Sequence, residues 1–392
     1  MRTTGAMGAA VALAVGALAI GGAGCGSGGS SETSAAASDR APALAAATKR
    51  VEAAKAEPRF TFDGPAFDPS AARGKSVFTI PVTSNIPFAV EIGQRFRDKA
   101  REFGIEVTDF PNQGTPNEWS RGIDQAISEH ADAIVLNLGA RPELLEPSLA
   151  RARRAGIKII DTHYYQYPNS AVREGVVDAE VYAPFNAAAE LLADYAFVST
   201  EGDLRLLVMT ANDSKPSPGM VEAIRARLRE LCGDDSCLAD VVSIPQAKWS
   251  TDMKAAVQSA LVKNPKINYV VPLYDVGLIG GAAGVLAAGR SGKVKMASFN
   301  GSPDAMKLIQ TGDVAEMDIG ESADWVAYAT LDQTLRVLSG NDPIPDGDNN
   351  EKIALRIFDD SNIDETGTPP QIDRGYGEAY RDGYDEIWSG GR

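Results

Sequence analysis

The chain has 392 residues, 44% of them hydrophobic and 23% charged, and a net charge of −15. That length and composition suit two globular domains, and with no Lys/Arg cluster the size of a phosphate footprint nucleic acid is excluded as a partner. The only histidines are His130 and His163, which excludes His-rich metal centres; no metal or cofactor is expected, and histidine-based catalysis has few candidates.

At the N-terminus one positive charge, Arg2, precedes an apolar run, Val11 to Ile20. That run is too short for a bilayer, which takes about 20 apolar residues. Small residues and Cys25 follow, so residues 1–24 carry the features of a secretory signal peptide. Gly22, Ala23 and Gly24 before Cys25 resemble a bacterial lipoprotein box, in which the cysteine becomes the lipid-bearing first residue. Gly22 stands where such boxes carry Leu, so plain secretion after cleavage nearby is the alternative, and a retained membrane helix a third reading. The expectation is an exported protein held on the outer face of the cell membrane by a lipid on Cys25 alone. Residues 25–75 are Gly/Ser/Ala-rich and then Ala-rich with prolines, which reads as a flexible tether and docking arm in which LAAATKRVEAAKAE forms a short helix.

From Ser76 the pattern changes. SVFTIPVTS is a short β-rich run. In PFAVEIGQRFRDKAREFG, Phe88, Ile92, Phe96 and Ala100 share one helical face, Pro87 suits the first turn and Gly104 the stop. Strand IEVTDF, helix EWSRGIDQAISEHA, strand DAIVLNLG, helix ELLEPSLARARRAG and strand IKIIDTHYY continue the alternation. A second round begins near Asp203: LRLLVMT, GMVEAIRARLREL, DVVSIP, STDMKAAVQSALVKN, INYVVPLYD, GLIGGAAGVLAAG, VKMASFN, PDAMKLIQTG, DVAEMDIG and ADWVAYATLDQTLRVLSG. Two such rounds predict two doubly wound parallel α/β lobes. Between the rounds' helices, Cys232 and Cys237 in LCGDDSC can close a local disulfide in an oxidising compartment; as a metal site the pair lacks further ligands.

Ligands of doubly wound sheets bind beyond the C-terminal strand ends. Those ends present Asn85, Phe88, Asn137, His163, Tyr164 and Tyr165 in the first lobe, and Trp249, Tyr274, Asp275, Asn300 and Glu321 in the second. Aromatic faces with amides and carboxylates suit a polyhydroxylated ligand, whose C–H face stacks and whose vicinal hydroxyls pair. Scarce basic residues count against a phosphate or dicarboxylate. Each residue also has a structural use: Phe88 as a core cap, Asn85 and Asn300 in Asx turns, His163 as a hydrogen-bonded structural residue, Tyr164 and Tyr165 in hinge packing, and Asp275 as a helix N-cap.

The order from SVFTIPVTSNIPFAVEIGQRFRDKAREFGIEV through DAIVLNLG and LLEPSLARARRAGIKIID to ASFNGSPDAMKLIQTGDVAEMDIGES resembles the ribose-type, type 1 periplasmic sugar-binding proteins of ABC transporters, over Ser76 to Gly340. The resemblance implies two lobes closing on one sugar at a three-segment hinge, with crossings near Thr200–Gly202, Gly320–Ser322 and after Gly340. It implies lobes of 76–200 plus 322–345 and of 201–321 plus 346–392. Its contact positions fall on Phe88 with Asn85 close by, Asn137, Trp249 and Asn300. His163-Tyr164 replaces the family's Asp-Arg, Tyr274 replaces an Asn, the Arg expected in PSPGMVEA is absent, and Gly320 or Glu321 stands where a Gln is usual. The fold therefore carries over further than the sugar, and the changes point to a ligand other than ribose.

No G-x-S-x-G elbow or P-loop is present, and GLIGGAAG lies on a helix and is not spaced as G-x-G-x-x-G, which counts against a dinucleotide site; DGDNNE, Asp346 to Glu351, lacks EF-hand spacing and reads as a polar turn. The expected function is that of a monomeric, non-enzymatic substrate-binding lipoprotein that presents a sugar to an ABC permease. The alternative is a receptor for a non-sugar solute such as a nucleoside, polyol or autoinducer.

Overall fold

The structure, a computed structural model, describes residues 31–168 and 175–390, with the backbone alone for 31–39. The expected signal peptide, Cys25 and the start of the tether lie outside the described residues. The chain divides into Met1–Asp39 and Arg40–Arg392, and every contact given below belongs to the second unit.

In chain order the elements are α1 (Ser31–Lys55), β1 (Ser76–Pro81), α2 (Pro87–Glu102), β2 (Glu106–Asp109), α3 (Pro116–Ser128), β3 (Ala133–Asn137), α4 (Pro142–Arg154), β4 (Lys158–Thr162) and β5 (Ala179–Val181). They continue with α5 (Phe185–Ser199), β6 (Leu206–Thr210), α6 (Ser217–Cys232), β7 (Leu238–Ser243), α7 (Trp249–Lys263), β8 (Tyr269–Pro272), α8 (Asp275–Ala287), β9 (Lys295–Asn300), α9 (Pro303–Thr311) and β10 (Ala315–Glu321). The last are α10 (Ala323–Ser339), β11 (Leu355–Asp359) and α11 (Ala379–Trp388).

Lobe 1 is a parallel sheet in the order β2-β1-β3-β4-β5, and lobe 2 a sheet in the order β11-β10-β9-β8-β6-β7. Apart from the antiparallel edge strand β11, lobe 2 repeats the strand order of lobe 1. Alternation within each strand feeds two cores. In β3, Ala133 and Val135 face the core under α2, α10 and α11, while Ile134 and Leu136 face the one under α3 and α4. In β6, Leu206 and Val208 face α5 and α6, while Leu207 and Met209 face α7, α8 and α9. Strands buried on both faces are what a parallel sheet covered by helices requires.

Helix α2 forms as its spacing predicts. Phe88, Ile92, Phe96 and Ala100 are all buried, Pro87 opens it, and Gly104 at φ +74° ends it. Cys232 and Cys237 are disulfide-bonded across the short turn after α6, with Cα atoms 6.3 Å apart. Residues Asp348 to Glu351 form a turn in which Asn350 accepts from the Tyr182 N–H at 3.0 Å and donates to Glu180 O at 2.9 Å, stitching a lobe connection.

The boundaries between lobes differ from those expected. Helix α5 packs Ala188, Ala189, Leu192, Ala193 and Phe197 into lobe 2, so the first crossing precedes it, at Tyr182–Pro184, rather than at Thr200–Gly202. Helix α11 returns to lobe 1, where Tyr380, Tyr384, Ile387 and Trp388 join Trp325 and Tyr328 of α10. The stretch read as tether and arm is packed from Ala43 onward. Ala47 and Val51 of α1 enter the lobe 2 core, and Phe62 and Phe67 the lobe 1 core. Apolar residues that find a complementary core bind there whatever the polarity of their neighbours.

Candidate functional site

The two sheets direct their C-terminal strand ends to one region, and a buried bond joins them. His163, just past β4, meets Glu321, the last residue of β10, at 2.5 Å between Nε2 and Oε2. Both side chains are fully enclosed, at 3% and 0% exposure. The His163 backbone is left-handed at φ +57°, which turns the ring between Phe88 and Phe185 at centroid distances of 5.6 and 5.3 Å, both edge-on. From there rings run into lobe 2: Phe185 to Phe299 at 6.2 Å, Phe299 to Tyr274 at 6.4 Å, and Tyr274 to Trp249 at 5.3 Å. Two further contacts cross between the lobes. The Asn186 N–H donates to Gln166 Oε1 at 2.9 Å, and the Lys215 ammonium lies 5.9 Å from the Tyr165 ring centre.

Several of the polar residues at these ends are buried with atoms that meet no partner among the described residues. They are Asn137 Oδ1 at the end of β3, His163 Nδ1 after β4, Thr210 Oγ1 at the end of β6 and Glu321 Oε1 at the end of β10. Asn137 is otherwise held, its Nδ2 donating to Ala89 O at 3.0 Å in the first turns of α2. Buried polar groups without partners are rare and each asks for an occupant, a ligand or a water. Beside Asn137 a cavity of about 250 Å³ opens between α2 and the ends of β1 and β2, lined among others by Ser84, Gly93, Arg97 and Asp109. Arg97 and Thr79 both bind the Asp109 carboxylate there. A larger hollow of about 580 Å³ lies along α4 toward Arg153 and Gly175, away from the strand ends.

The other expected contacts are distributed differently. Trp249 is buried in the lobe 2 core and its indole N–H donates to Ile244 O at 2.8 Å. Tyr274 bonds Ser217 through its hydroxyl at 3.2 Å, and burial pushes its phenol up to about 12. Tyr164 packs on Gly139, and burial raises its phenol too. Tyr165 donates its hydroxyl to Glu143. Asn85 is exposed and donates to Gln113 Oε1 at 3.0 Å.

Asp275 opens α8 but its carboxylate reaches back into the sheet. Its Oδ1 accepts from Ser298 Oγ at 2.7 Å and its Oδ2 from the Ser302 N–H at 2.7 Å. Asn300 ends β9 at φ +144°, followed by Gly301 at φ +79°. A backbone held there costs on the order of 1–3 kcal/mol and persists only where its surroundings over-determine it. Gly301 is required: a Cβ would lie 2.5 Å from Tyr376 Oη and 2.9 Å from Gly320 Cα.

Sequence reasoning misses Phe185, Phe299 and Thr210 at this site. Thr210 ends LRLLVMT and Phe299 precedes Asn300, so inspection of every strand end would have found both; Phe185 lies at a helix start that the strand rule does not reach. Among the described residues no group of His, Cys, Asp and Glu could hold a metal ion, and no helix is long and apolar enough to cross a membrane.

Curated relatives are similar in sequence, and many solved structures share this frame. A D-ribose/D-allose-binding protein of Pseudomonas aeruginosa is 22% identical over 63% of this chain and 76% of its own. A D-allose-binding periplasmic protein of Escherichia coli is 24% identical over 62% of this chain and 78% of its own. An ABC transporter solute binding protein from Agrobacterium vitis with bound allitol superposes with a TM-score of 0.62 at 17% identity, covering 75% of this chain and 98% of that one. The model of the periplasmic binding protein domain matches residues 77–342. On that match, and with two doubly wound sheets facing one another across Glu321 and His163, the chain belongs to the periplasmic binding protein domain family, and it is a binding protein, not an enzyme.

Proposed function

We propose that the protein is the extracytoplasmic substrate-binding component of an ABC importer, and that it takes a neutral sugar between its lobes and presents it to the membrane permease. The observation that carries this reading is the set of buried, unpartnered polar atoms at strand ends of both lobes: Asn137 Oδ1, His163 Nδ1, Thr210 Oγ1 and Glu321 Oε1. Three of these are oxygens that accept hydrogen bonds, as vicinal sugar hydroxyls demand, and the Phe88 and Phe185 rings beside His163 offer apolar surface to a C–H face. The curated relatives named for ribose and allose support a monosaccharide of that class. Asn85, Phe88, Asn137, His163, Tyr164 and Glu321 are the residues we assign closest to the ligand, with Asn300 held beside them. Trp249, Tyr274 and Asp275 act behind them.

Binding closes the lobes by stabilising the closed population. The proposed tether is the segment before Arg40, with a lipid on Cys25, and the receptor works as a monomer.

A thermal-shift panel of D-allose, D-ribose, D-arabinose, allitol, adenosine and amino acids tests the reading, because a ligand of the folded state raises the midpoint in proportion to ln(1 + [L]/Kd). A shift with a sugar that Asn137→Ala reduces supports it. A shift with adenosine alone, or with no sugar at saturating concentration, overturns the sugar assignment. Metabolic palmitate labelling that is lost in Cys25→Ser tests the anchor.

A further inference from the structure

Behind Asn300 lies a network that the ligand reading does not use. Ser298 is fully buried in β9, and its single hydroxyl lies 2.7 Å from Asp275 Oδ1 and 2.6 Å from Asp318 Oδ2. The two remaining carboxylate oxygens are also engaged. Asp318 Oδ1 accepts from the Gly301 N–H at 2.8 Å, and Asp275 Oδ2 from the Ser302 N–H at 2.7 Å. All four oxygens are therefore at hydrogen-bond distance from a partner.

The proton count does not balance if both acids are ionised. A serine hydroxyl donates one proton, so it satisfies one carboxylate and would turn a lone pair toward the other at 2.6–2.7 Å. Both distances are those of made O–H···O bonds. They are met together only if one acid carries a proton and donates it to Ser298 Oγ while Ser298 donates to the other. The surroundings favour that state. Asp318 is wholly enclosed, and burial first, then the neighbouring Asp275, raises its carboxyl well above the ordinary range. Tyr376 lies within the field of both acids together with Asp373 and Glu321, and none of these groups brings a positive charge. Nearby Arg95 is bound to Asp373 at 3.1 Å, and Arg356, on the neighbouring strand β11, to Glu365 at 2.7 Å.

We propose that Asp275 and Asp318 share one proton through Ser298, and that this acid pair is the positioning device that holds the Asn300–Gly301–Ser302 turn at the ligand site. The proposal rests on the ligand reading only for the purpose of the turn; the shared proton stands on its own. Each acid grips one backbone N–H of the turn, so the pair clamps it from both sides against the left-handed backbone at Asn300 and Gly301. Removal of the shared proton leaves two anions and one donor, and one grip opens. The macroscopic proton belongs to the pair, not to either residue.

The test needs no ligand and so separates failure of this proposal from failure of the sugar reading. The infrared carboxylic-acid band of the whole folded protein at pH 7 is compared among wild type, Asp318→Asn, Asp275→Asn and the double variant. With hydrogen exchange, the protection of the Gly301 and Ser302 amides is followed from pH 6 to pH 10. The expected result is that either single variant removes the same one-acid band and the double variant removes no more. An amide can donate to Ser298 Oγ in place of the acid, so each single variant keeps both amides protected within about threefold of wild type at pH 6 and loses the pH dependence, while wild-type protection falls at least tenfold toward pH 10. Ser298→Ala loses protection at every pH. The proposal is overturned if neither variant changes the band, or if the two bands add. Equally decisive would be Asp318→Asn exchanging as fast as Ser298→Ala, with Asp275→Asn serving should Asp318→Asn fail to fold.

Discussion

The two lobes share a strand order but treat their strand ends in opposite ways. In lobe 1 the central strands β3 and β4 end in groups with open valence, Asn137 Oδ1 and His163 Nδ1. In lobe 2 the residues that follow the central strand β8 are already satisfied: Tyr274 on Ser217, Asp275 on Ser298 of β9 and on Ser302, with Trp249 behind them on Ile244 O. The open groups of lobe 2, Thr210 and Glu321, lie on the strands that flank this saturated centre. A buried polar group already paired is rigid, and one left open is a demand that costs about 1–3 kcal/mol until met. Lobe 2 therefore supplies a preset wall at its middle with its open groups to either side, and lobe 1 carries its open groups at the middle.

The strongest way to break that comparison is to remove a part of the wall. Trp249→Ala deletes a buried side chain from the lobe 2 core and leaves Ile244 O without its indole donor. Such a truncation costs about 3–5 kcal/mol, read as a lower urea midpoint without ligand. A variant as stable as wild type that has lost only affinity would move Trp249 from the wall to the ligand. Gly301→Ala comes next, at about 2–4 kcal/mol, because the new Cβ meets Tyr376 Oη in a backbone that disfavours any side chain.

Lobe 1 yields a prediction in pH. Asp161 in β4 is buried, and desolvation, with the negative charges of Glu180 and Glu143, raises its carboxyl well above the ordinary range. A raised carboxyl binds its proton more tightly folded than unfolded. Its contribution is thus complete below about pH 4, the ordinary Asp range, and is lost as pH rises through the folded value. Asp161→Asn should therefore be more stable than wild type at pH 8, with the advantage shrinking by at most about 1.4 kcal/mol per pH unit as pH falls. Urea titrations of both proteins at pH 5 and pH 8 measure it. A difference independent of pH would mean that Asp161 stays charged in the fold.

Much of the frame is legible in the sequence because burial repeats with the period of the element. Phe88, Ile92, Phe96 and Ala100 are spaced for one helical face, and all four are buried. Helix α5 is harder to read: FNAAAELLADYAFVS is apolar on nearly every side and its lobe is decided by tertiary packing, so neither its face nor its lobe follows from spacing. Helix α11 does carry a helical pattern, Tyr380, Tyr384, Ile387 and Trp388, but only three-dimensional packing reveals that it returns to lobe 1. At the site, strand ends identify which residues converge, and the hydrogen bonds decide which remain open. Asp275 and Asn137 look equivalent in sequence, as polar residues ending or following a strand. They part because Ser298 and Ser302 lie within reach of Asp275, while among the described residues the Asn137 side chain bonds Ala89 O alone.

The smallest effects separate two asparagines within lobe 1. Asn137→Ala removes the Nδ2 bond to Ala89 O, about 1 kcal/mol of stability, and the open Oδ1 beside the strand ends. If that oxygen meets the ligand, affinity for the best sugar of the thermal-shift panel falls by roughly tenfold, since a lost hydrogen bond of about 1.4 kcal/mol is a factor of ten. Asn85→Ala takes away an exposed bond to Gln113 and should change stability by less than about 0.5 kcal/mol. Its effect on affinity distinguishes two forms of the bound state. An effect below twofold in calorimetry means that the ligand lies against the centre of the lobe 1 sheet, at Asn137 and His163. An effect as large as that of Asn137→Ala means that the Thr83–Ile86 loop folds over the ligand, and the demand of lobe 1 then extends from its middle strands to β1.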